Sequence, residues 1–455
     1  MQQFLFFMYF QSSKQLPMQT ASKKVINGWA MFDWANSVYN LVITSTIFPA
    51  YYAAITSNPS KTINGVSYVQ FLGRDFVNTS LYNYALGFAL LIVAIILPML
   101  TSIADYKGNK KTFMAVFFTL GSIACAALYF FKGIDTLGIG ITCMILACIC
   151  FWSSYVFSNS FLPEIAAPED RDKVSARGFA YGYVGSVILQ VICFVFVMKN
   201  EWFGISEAEG SRISFVSVGI WWLFFGYFSL SRLPKPLSAL NNAPAKNFIT
   251  GGYTELSKVW KQLKQMPVIK RYLAAFFFYN MGVQTVMLAA TLYGQSELEI
   301  PVQYLIITIL LIQLVAIPGA YFISKLSGKI GNFKSLMWVI MLWVFICIAA
   351  YFIPKHALVP FFILGAFVGF VMGGIQSLSR STYSKLMPET KDTASFFSFY
   401  DVTEKIAVVI GMFSFGYITE ITGSQRNSVL ALAIFFIIGF FILFSALKKQ
   451  QAENR

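Results

Sequence analysis

The chain is short of the residues that carry most polar chemistry. Among 455 residues there is one histidine, His356, and the six cysteines (Cys125, Cys143, Cys148, Cys150, Cys193 and Cys347) all fall inside long apolar runs. That placement gives neither a disulfide framework nor zinc-ligand spacing, and one histidine in a short polar turn leaves no imidazole relay. Metal chemistry is therefore not expected. No G-x-x-x-x-G-K-[ST] loop occurs, which argues against a built-in ATP motor. Charged residues make up 12% of the chain, against about 25% in an ordinary soluble domain. No Ser/His, paired-Asp or zinc constellation marks an intramembrane enzyme, and no cofactor beyond a proton or other ion gradient is expected.

Apolar residues are abundant instead. They make up 57% of the chain, with Phe alone appearing 47 times, and they come in long blocks rather than at amphipathic spacing. A block of about 20 residues crosses the roughly 30 Å hydrocarbon layer. Twelve such blocks are predicted, near 28–54, 81–103, 112–131, 137–161, 177–199, 213–231, 271–293, 302–324, 335–353, 357–380, 396–419 and 427–447. The longest polar break follows the sixth block. The expected plan is thus a tail over 1–27, a six-helix half over 28–231, a central loop over 232–270, a second half over 271–447 and a tail over 448–455. Within the central loop, "YTELSKVWKQLKQM" reads as a short amphipathic helix.

Lysine and arginine set the orientation. Most of the 34 fall in turns that share a side if the N-terminus is cytoplasmic. The net charge of +14 then reflects topology and contact with anionic lipid, and calls for no nucleic acid. The start, "MQQFLFFMYFQSSKQLPMQTASKK", has no basic n-region or small-residue cleavage site. Two readings stand for it, translation from Met18 or an interfacial tail.

Two stretches repeat. "ADYKGNKKTFM" from Ala104 matches "SGKIGNFKSLM" from Ser327 at equivalent turns, and "FLPEIAAPEDRDKVSARGFAYGY" from Phe161 echoes "KLMPETKDTASFFSFYDVTEK" from Lys385. Two similar six-helix halves in parallel orientation account for both.

"ADYKGNKK" resembles the loop signature of the major facilitator superfamily, with Tyr106 in place of the usual basic residue and without the usual leading Gly. "FDWANSVYNLVITSTIFPAYY", "SFLPEIA", "SARGFAYGYVGS", "FYNMGVQT", "GGIQSLSRSTYSKLMPE" and "SFFSFYDVTEKIAVVIGMFSFG" are similar to the branch of that superfamily typified by vacuolar amino-acid effluxers. The resemblance implies an all-α membrane protein of twelve helices in two pseudo-symmetric six-helix halves, the major facilitator fold. It also implies alternating access, with helices 1, 4, 7 and 10 lining the cavity and 3, 6, 9 and 12 facing lipid. The expected setting is a bacterial inner membrane with both termini cytoplasmic and a monomer as the working unit.

The embedded polar residues name the candidate pathway. A carboxylate at the centre of a membrane helix costs roughly 2.5–3.5 kcal/mol on insertion scales, so each one calls for a reason. In span 1, Asp33, Asn36, Ser37 and Asn40 share a helical face; Asp33 reads either as functional or as a structural pair. In span 11, Asp401, Glu404 and Lys405 stand at i, i+3 and i+4. That spacing lets Lys405 pair with Asp401 and leaves Glu404 as a proton carrier, or else all three form a structural network. Asn280 and Gln284 in span 7 and Gln376 in span 10 add neutral polar groups that serve as ligand contacts or as helix glue. Charges are expected in spans 1 and 11 only.

Near the turns, Asp105, Lys110, Lys111 and Arg177 form the expected latch, with Asp105 accepting from a facing helix end or pairing with Arg177. The second repeat, around Lys329 and Lys334, lacks the acid, so one half should latch more strongly. The leading function is a secondary transporter of a small polar solute, an amino acid first, because the resemblance implies it and Lys405 beside carboxylates suits a zwitterion. The alternatives are an exporter of amphipathic compounds or peptides, and a non-transporting sensor or scaffold.

Overall fold

A computed structural model describes residues 19–57, 62–63, 66–235 and 248–453. The chain start at 1–18, read above as translation from Met18 or an interfacial tail, and the linker at 236–247 lie outside the described residues. Among the described residues, twelve helices are long and apolar enough to cross a bilayer. We label them α1 (Lys23–Ile55), α2 (Asn78–Lys107), α3 (Lys110–Phe130), α4 (Leu137–Asn159), α5 (Arg171–Met198) and α6 (Glu207–Arg232). The second half holds α7 (Pro267–Leu292), α8 (Val302–Ile330), α9 (Asn332–Phe352), α10 (Leu358–Leu386), α11 (Thr393–Thr422) and α12 (Gln425–Glu453). A further helix, Phe248–Gln265, lies in the central loop and is called the linker helix below.

Most helices outrun the apolar blocks read from sequence. α2 and α11 have 30 residues each, about 45 Å of helix, against the roughly 30 Å hydrocarbon layer. Polar ends therefore project beyond the apolar slab, and these ends meet one another. Both described termini and the linker helix lie on one side, called the terminal face here.

Packing repeats between the halves. α1 packs on α5 and α6 as α7 packs on α11 and α12, α2 on α4 as α8 on α10, and α3 on α6 as α9 on α12. Pro98 inside α2 is matched by Pro318 inside α8, two sites where the missing N–H loosens the helix. Small residues bring helices into close contact. A Cβ on Gly182 or Gly185 of α5 would run into Ser37 or Trp34 of α1, and Gly365, Gly369 and Gly373 of α10 face Thr308, Ile312 and Ala316 of α8.

The lipid-facing stripes follow helical periodicity. Val116, Leu120 and Ile123 of α3, Ile220, Phe224 and Tyr227 of α6, Trp338, Met341 and Phe345 of α9, and Ile434, Ile437 and Phe441 of α12 are all exposed. Among the described residues, α1 and α7 expose no large apolar side chain. They are the central helices of their halves.

The fold adds a small antiparallel meander before α2: β1 (Thr62–Ile63), β2 (Val66–Phe71) and β3 (Arg74–Val77). Leu72 and Gly73 take φ of 49° and 78°, the left-handed pair that a two-residue hairpin turn requires. The alternation in "VSYVQF" and "RDFV" is too short to stand out between two membrane blocks.

Candidate functional site

The two halves touch mainly along α2–α11, α5–α8 and α5–α10. The hydrogen bonds and ion pairs that join them run from the terminal face to the middle of the bundle. Four layers can be followed inward.

The outermost layer ties helix ends together. Asp105, near the end of α2, accepts from Ser395 N at 2.7 Å, Ser395 Oγ at 2.7 Å and Ala394 N at 3.4 Å. These amides open α11 and have no partner within their own helix, so the carboxylate of one half caps a helix of the other, where negative charge is favoured. Lys110 is fully buried, pairs with Glu164 and donates to Thr393 Oγ1 at 2.9 Å. Lys111 donates to the Leu233 carbonyl at 2.9 Å.

Arg177 does not reach Asp105. It donates to Asn27 Oδ1 at 3.0 Å on an exposed surface of α5, so the pairing of Asp105 with Arg177 is corrected. The expected one-sided latch also changes. At the second repeat, Asp172 of α5 accepts from Ser327 Oγ at 2.7 Å, Asn332 Nδ2 at 2.8 Å and Lys385 Nζ at 2.6 Å. The turn after α8 lacks its own acid and borrows one from the opposite half.

The second layer holds a pair that sequence reasoning missed. Arg380 of α10 is 1% exposed and places Nη1 and Nη2 each 3.1 Å from Asp33 Oδ2 of α1. Its Nε donates to Ser175 Oγ at 3.0 Å, Nη2 to the Ser175 carbonyl at 3.0 Å and Nη1 to Asn159 Oδ1 at 3.0 Å. Phe179 and Trp29 lie against the guanidinium plane at 4.2 Å and 4.8 Å, a favourable cation–π setting. Charges are thus not confined to spans 1 and 11. The apolar block of span 10 runs out at Arg380, whereas the helix continues to Leu386 and draws the arginine inside. A third layer joins Tyr183 OH to Gln376 Oε1 at 2.8 Å.

The innermost layer surrounds α11. Lys405 Nζ sits 3.3 Å above the ring of Trp152 from α4 and donates to Glu404 Oε2 at 3.0 Å, while Asp401 Oδ1 is 3.9 Å away. Glu404 Oε1 accepts from Gln284 Nε2 of α7 at 2.9 Å. The expected roles therefore exchange: Glu404 has two donors, and both oxygens of Asp401, 1% exposed, have no hydrogen-bond partner. Turning toward Trp152 carries the ammonium away from Asp401. Tyr155 OH of α4 accepts from Arg380 Nη1 at 3.4 Å.

Other candidates divide by burial. Asn36 and Asn280 are buried at 1% and 4%, and Asn36 Oδ1 and Asn280 Nδ2 are unpaired, as are Ser153 Oγ of α4 and Thr285 Oγ1 of α7. Asn40 is exposed, at the start of a π-helical segment of α1, Tyr39–Thr46. There Ser45 Oγ and Thr46 Oγ1 donate to the carbonyls of Asn40 and Leu41, at 2.9 and 2.7 Å. The wider turn rotates everything beyond Val38, so the stripe does not continue on one face. π segments inside α-helices concentrate at functional sites.

Comparisons with known proteins converge on one family. The family described as "Vacuole effluxer Atg22 like" matches residues 21–454. An uncharacterized MFS-type transporter, YxiO of Bacillus subtilis, is 31% identical over 92% of this chain and 93% of its own. Autophagy-related protein 22 of Eremothecium gossypii is 23% identical over 95% and 92%. Among solved structures, the proton:xylose symporter XylE superposes with a TM-score of 0.68 at 13% identity, covering 93% of this chain and 95% of that one. The transporter FucP in its outward conformation gives 0.67 at 14%, covering 93% and 98%. YxiO, FucP and XylE are each described as major facilitator transporters.

Proposed function

The chain belongs to the Atg22-like vacuole effluxer family of the major facilitator superfamily, a family of transporters and not of enzymes, and from that premise we propose that it moves a small polar solute, an amino acid first, by alternating access. It is a multi-pass integral membrane protein. In our reading the basic terminal face is cytoplasmic, in the inner membrane of a bacterium, so that the arrangement described is open to the outside. The working unit is a monomer.

One observation carries the substrate class. Asp401 offers two carboxylate oxygens without partners, and the Lys405 ammonium stands 3.9 Å from one of them. An α-amino acid presents the complementary pair, an ammonium for Asp401 and a carboxylate for Lys405. A buried polar group without a partner costs free energy that a ligand can recover, and Asn36, Ser153, Asn280 and Thr285 supply further unpaired groups.

Coupling to protons follows from charge. Asp33, Asp401 and Glu404 stand against Arg380 and Lys405, which leaves one negative charge in excess in a medium that penalises it. A proton removes that excess. Since Glu404 is held by Gln284 and Lys405, Asp401 takes over as the leading proton site. The test is counterflow in proteoliposomes with labelled amino acids, with and without a pH gradient, for wild type, Asp401→Asn and Glu404→Gln. Gradient-driven uptake lost in Asp401→Asn with exchange retained supports the reading. Folded protein that moves no amino acid above empty liposomes removes the substrate class and turns the search to amphipathic compounds.

A further inference from the structure

The linker helix is amphipathic in a way the transport cycle does not use. Gly252, Val259 and Leu263 are buried and Leu256 is half-buried, one stripe at helical spacing. The opposite surface exposes Tyr253 at 67% and Trp260 at 48%, together with Lys258, Lys261 and Lys264. Lys264 Nζ lies 5.0 Å from the Trp260 ring centre.

Its position sets its surroundings. Gly252 packs on Ile103 of α2, about 6 Å before that helix ends, and Trp260 stacks on Phe399 of α11 with ring centres 5.6 Å apart, about 9 Å inside that helix's start. Helices of about 45 Å in a 30 Å slab project roughly 7 Å on each side. The linker helix therefore lies at headgroup depth. Trp, Tyr and Lys on one surface at that depth are the composition of an interfacial helix, and Lys261 and Lys264, with Lys258 shared with Glu255 at 2.9 Å, favour phosphate groups of negative lipids.

The helix also bridges the halves. α2 belongs to the first and α11 to the second, so parting them at the terminal face removes one of its two supports. A ligand shifts a conformational equilibrium only by its difference in affinity between states, and a helix with both supports holds its lysines in one plane against the leaflet.

We propose that the exposed face of the linker helix binds the phosphates of anionic lipid headgroups, and that lipid bound there favours the state closed at the terminal face. The second clause rests on the alternating-access reading. Spin labels at Thr79→Cys and Gln303→Cys, exposed positions at the opposite face in α2 and α8, report that state as a long separation; the native cysteines lie inside membrane helices, and all but Cys143 are buried. Label distances are measured in phosphatidylcholine vesicles and in vesicles with a third of the lipid replaced by phosphatidylglycerol. Native mass spectrometry of the same protein counts retained phosphatidylglycerol.

The expected result is a rise in the long-to-short ratio of about five-fold or more, what one lysine near an anionic surface supplies, with retained phosphatidylglycerol. Both should be lost in K258Q/K261Q/K264Q. A triple variant that responds like its parent overturns the proposal. So does a shift reproduced by inorganic phosphate over pure phosphatidylcholine, which would make the surface a phosphate site and not a lipid one. Lipid retained by the lysines with one unchanging distance under every condition overturns the state dependence, and is the result that would also count against alternating access.

Discussion

Arg380 and Asp33 are 347 residues apart in the chain and 3.1 Å apart in space; among the described residues they are the one ion pair across the two halves with both side chains buried, since Lys385, which pairs with Asp172, is partly exposed. Removing one partner of such a pair leaves the other unpaired, at a cost of about 3–5 kcal/mol. The cost falls on the state in which the halves meet. Arg380→Gln or Asp33→Asn alone should therefore lower the thermal midpoint in detergent and reduce the population open at the face away from the termini. The double variant Asp33→Asn/Arg380→Gln should recover much of both, which a double-mutant cycle on the thermal midpoint and on label distances checks.

Gly178 gives a steric route to the same result. A Cβ there would occupy the space of Asp33 Oδ2, Arg380 Nη2 and the Trp29 ring. Gly178→Ala removes no charge, yet it should part the pair and reproduce the effect of Arg380→Gln on label distances. Gly416→Ala, where a Cβ meets open space, should leave them unchanged.

How much of this could be read beforehand depends on what the membrane makes conspicuous. A carboxylate such as Asp33 stands out within an apolar run, and Asp105 stands out beside a repeated Gly-Asn turn. Arg380 and Asp172 do not, because each sits where an apolar run gives way to polar residues and looks like an ordinary charge at the edge of a loop. Only the length of the helices, which project past the slab and press their ends together, turns such residues into buried contacts. For Lys405 the i, i+4 spacing correctly gave reach to Asp401 but not rotamer, and the ring of Trp152, in the other half, draws the ammonium aside.

Asp105 caps α11 from the other half, and its loss should act on populations before it acts on affinity. Capping bonds of this kind are worth about 1 kcal/mol, up to about 2. Asp105→Ala should shift the conformational ratio by about five- to thirty-fold toward the state parted at the terminal face. Substrate affinity of the exposed state, measured with the protein cross-linked in it, should stay the same. A variant that loses affinity in the cross-linked state would show that Asp105 does more than hold the halves.

pH should act at the same place through Asp392, which lies in the turn just before α11. Burial, the negative charge of Glu255 on the linker helix and a hydrogen bond shared with it push its pKa up to about 6, with a hydrogen bond to Thr390 and the charge of Lys258 opposing; Asp105 also faces it. A raised carboxyl pKa means that the docked helix holds the proton more tightly than the released one. Docking is free of this penalty below about pH 4, the ordinary aspartate range, loses stability as pH rises from there, and bears the full penalty above about 6. Cross-linking between Thr254→Cys and Lys391→Cys should therefore fall between about pH 4 and 6 in wild type and vary much less in Asp392→Asn.

Lys405 and Asp401 can be separated by the chemistry of the solute. If Lys405 takes the carboxylate of a zwitterion and Asp401 its ammonium, each substitution should remove one recognition and spare the other. Truncating one side of a desolvated charge pair typically costs 2–5 kcal/mol, so Lys405→Gln should weaken an amino acid by about thirty-fold or more, while the matching amine, which has no carboxylate, changes little. Asp401→Asn should do the reverse, weakening the amino acid and sparing the matching carboxylic acid. Competition by the three compounds against a bound labelled amino acid reads both ratios. Glu404→Gln is the comparison that gives the result its meaning: Gln284 and Lys405 already satisfy that carboxylate, so its loss should weaken all three compounds alike by releasing Lys405, and a selective effect there would move the ammonium site from Asp401 to Glu404.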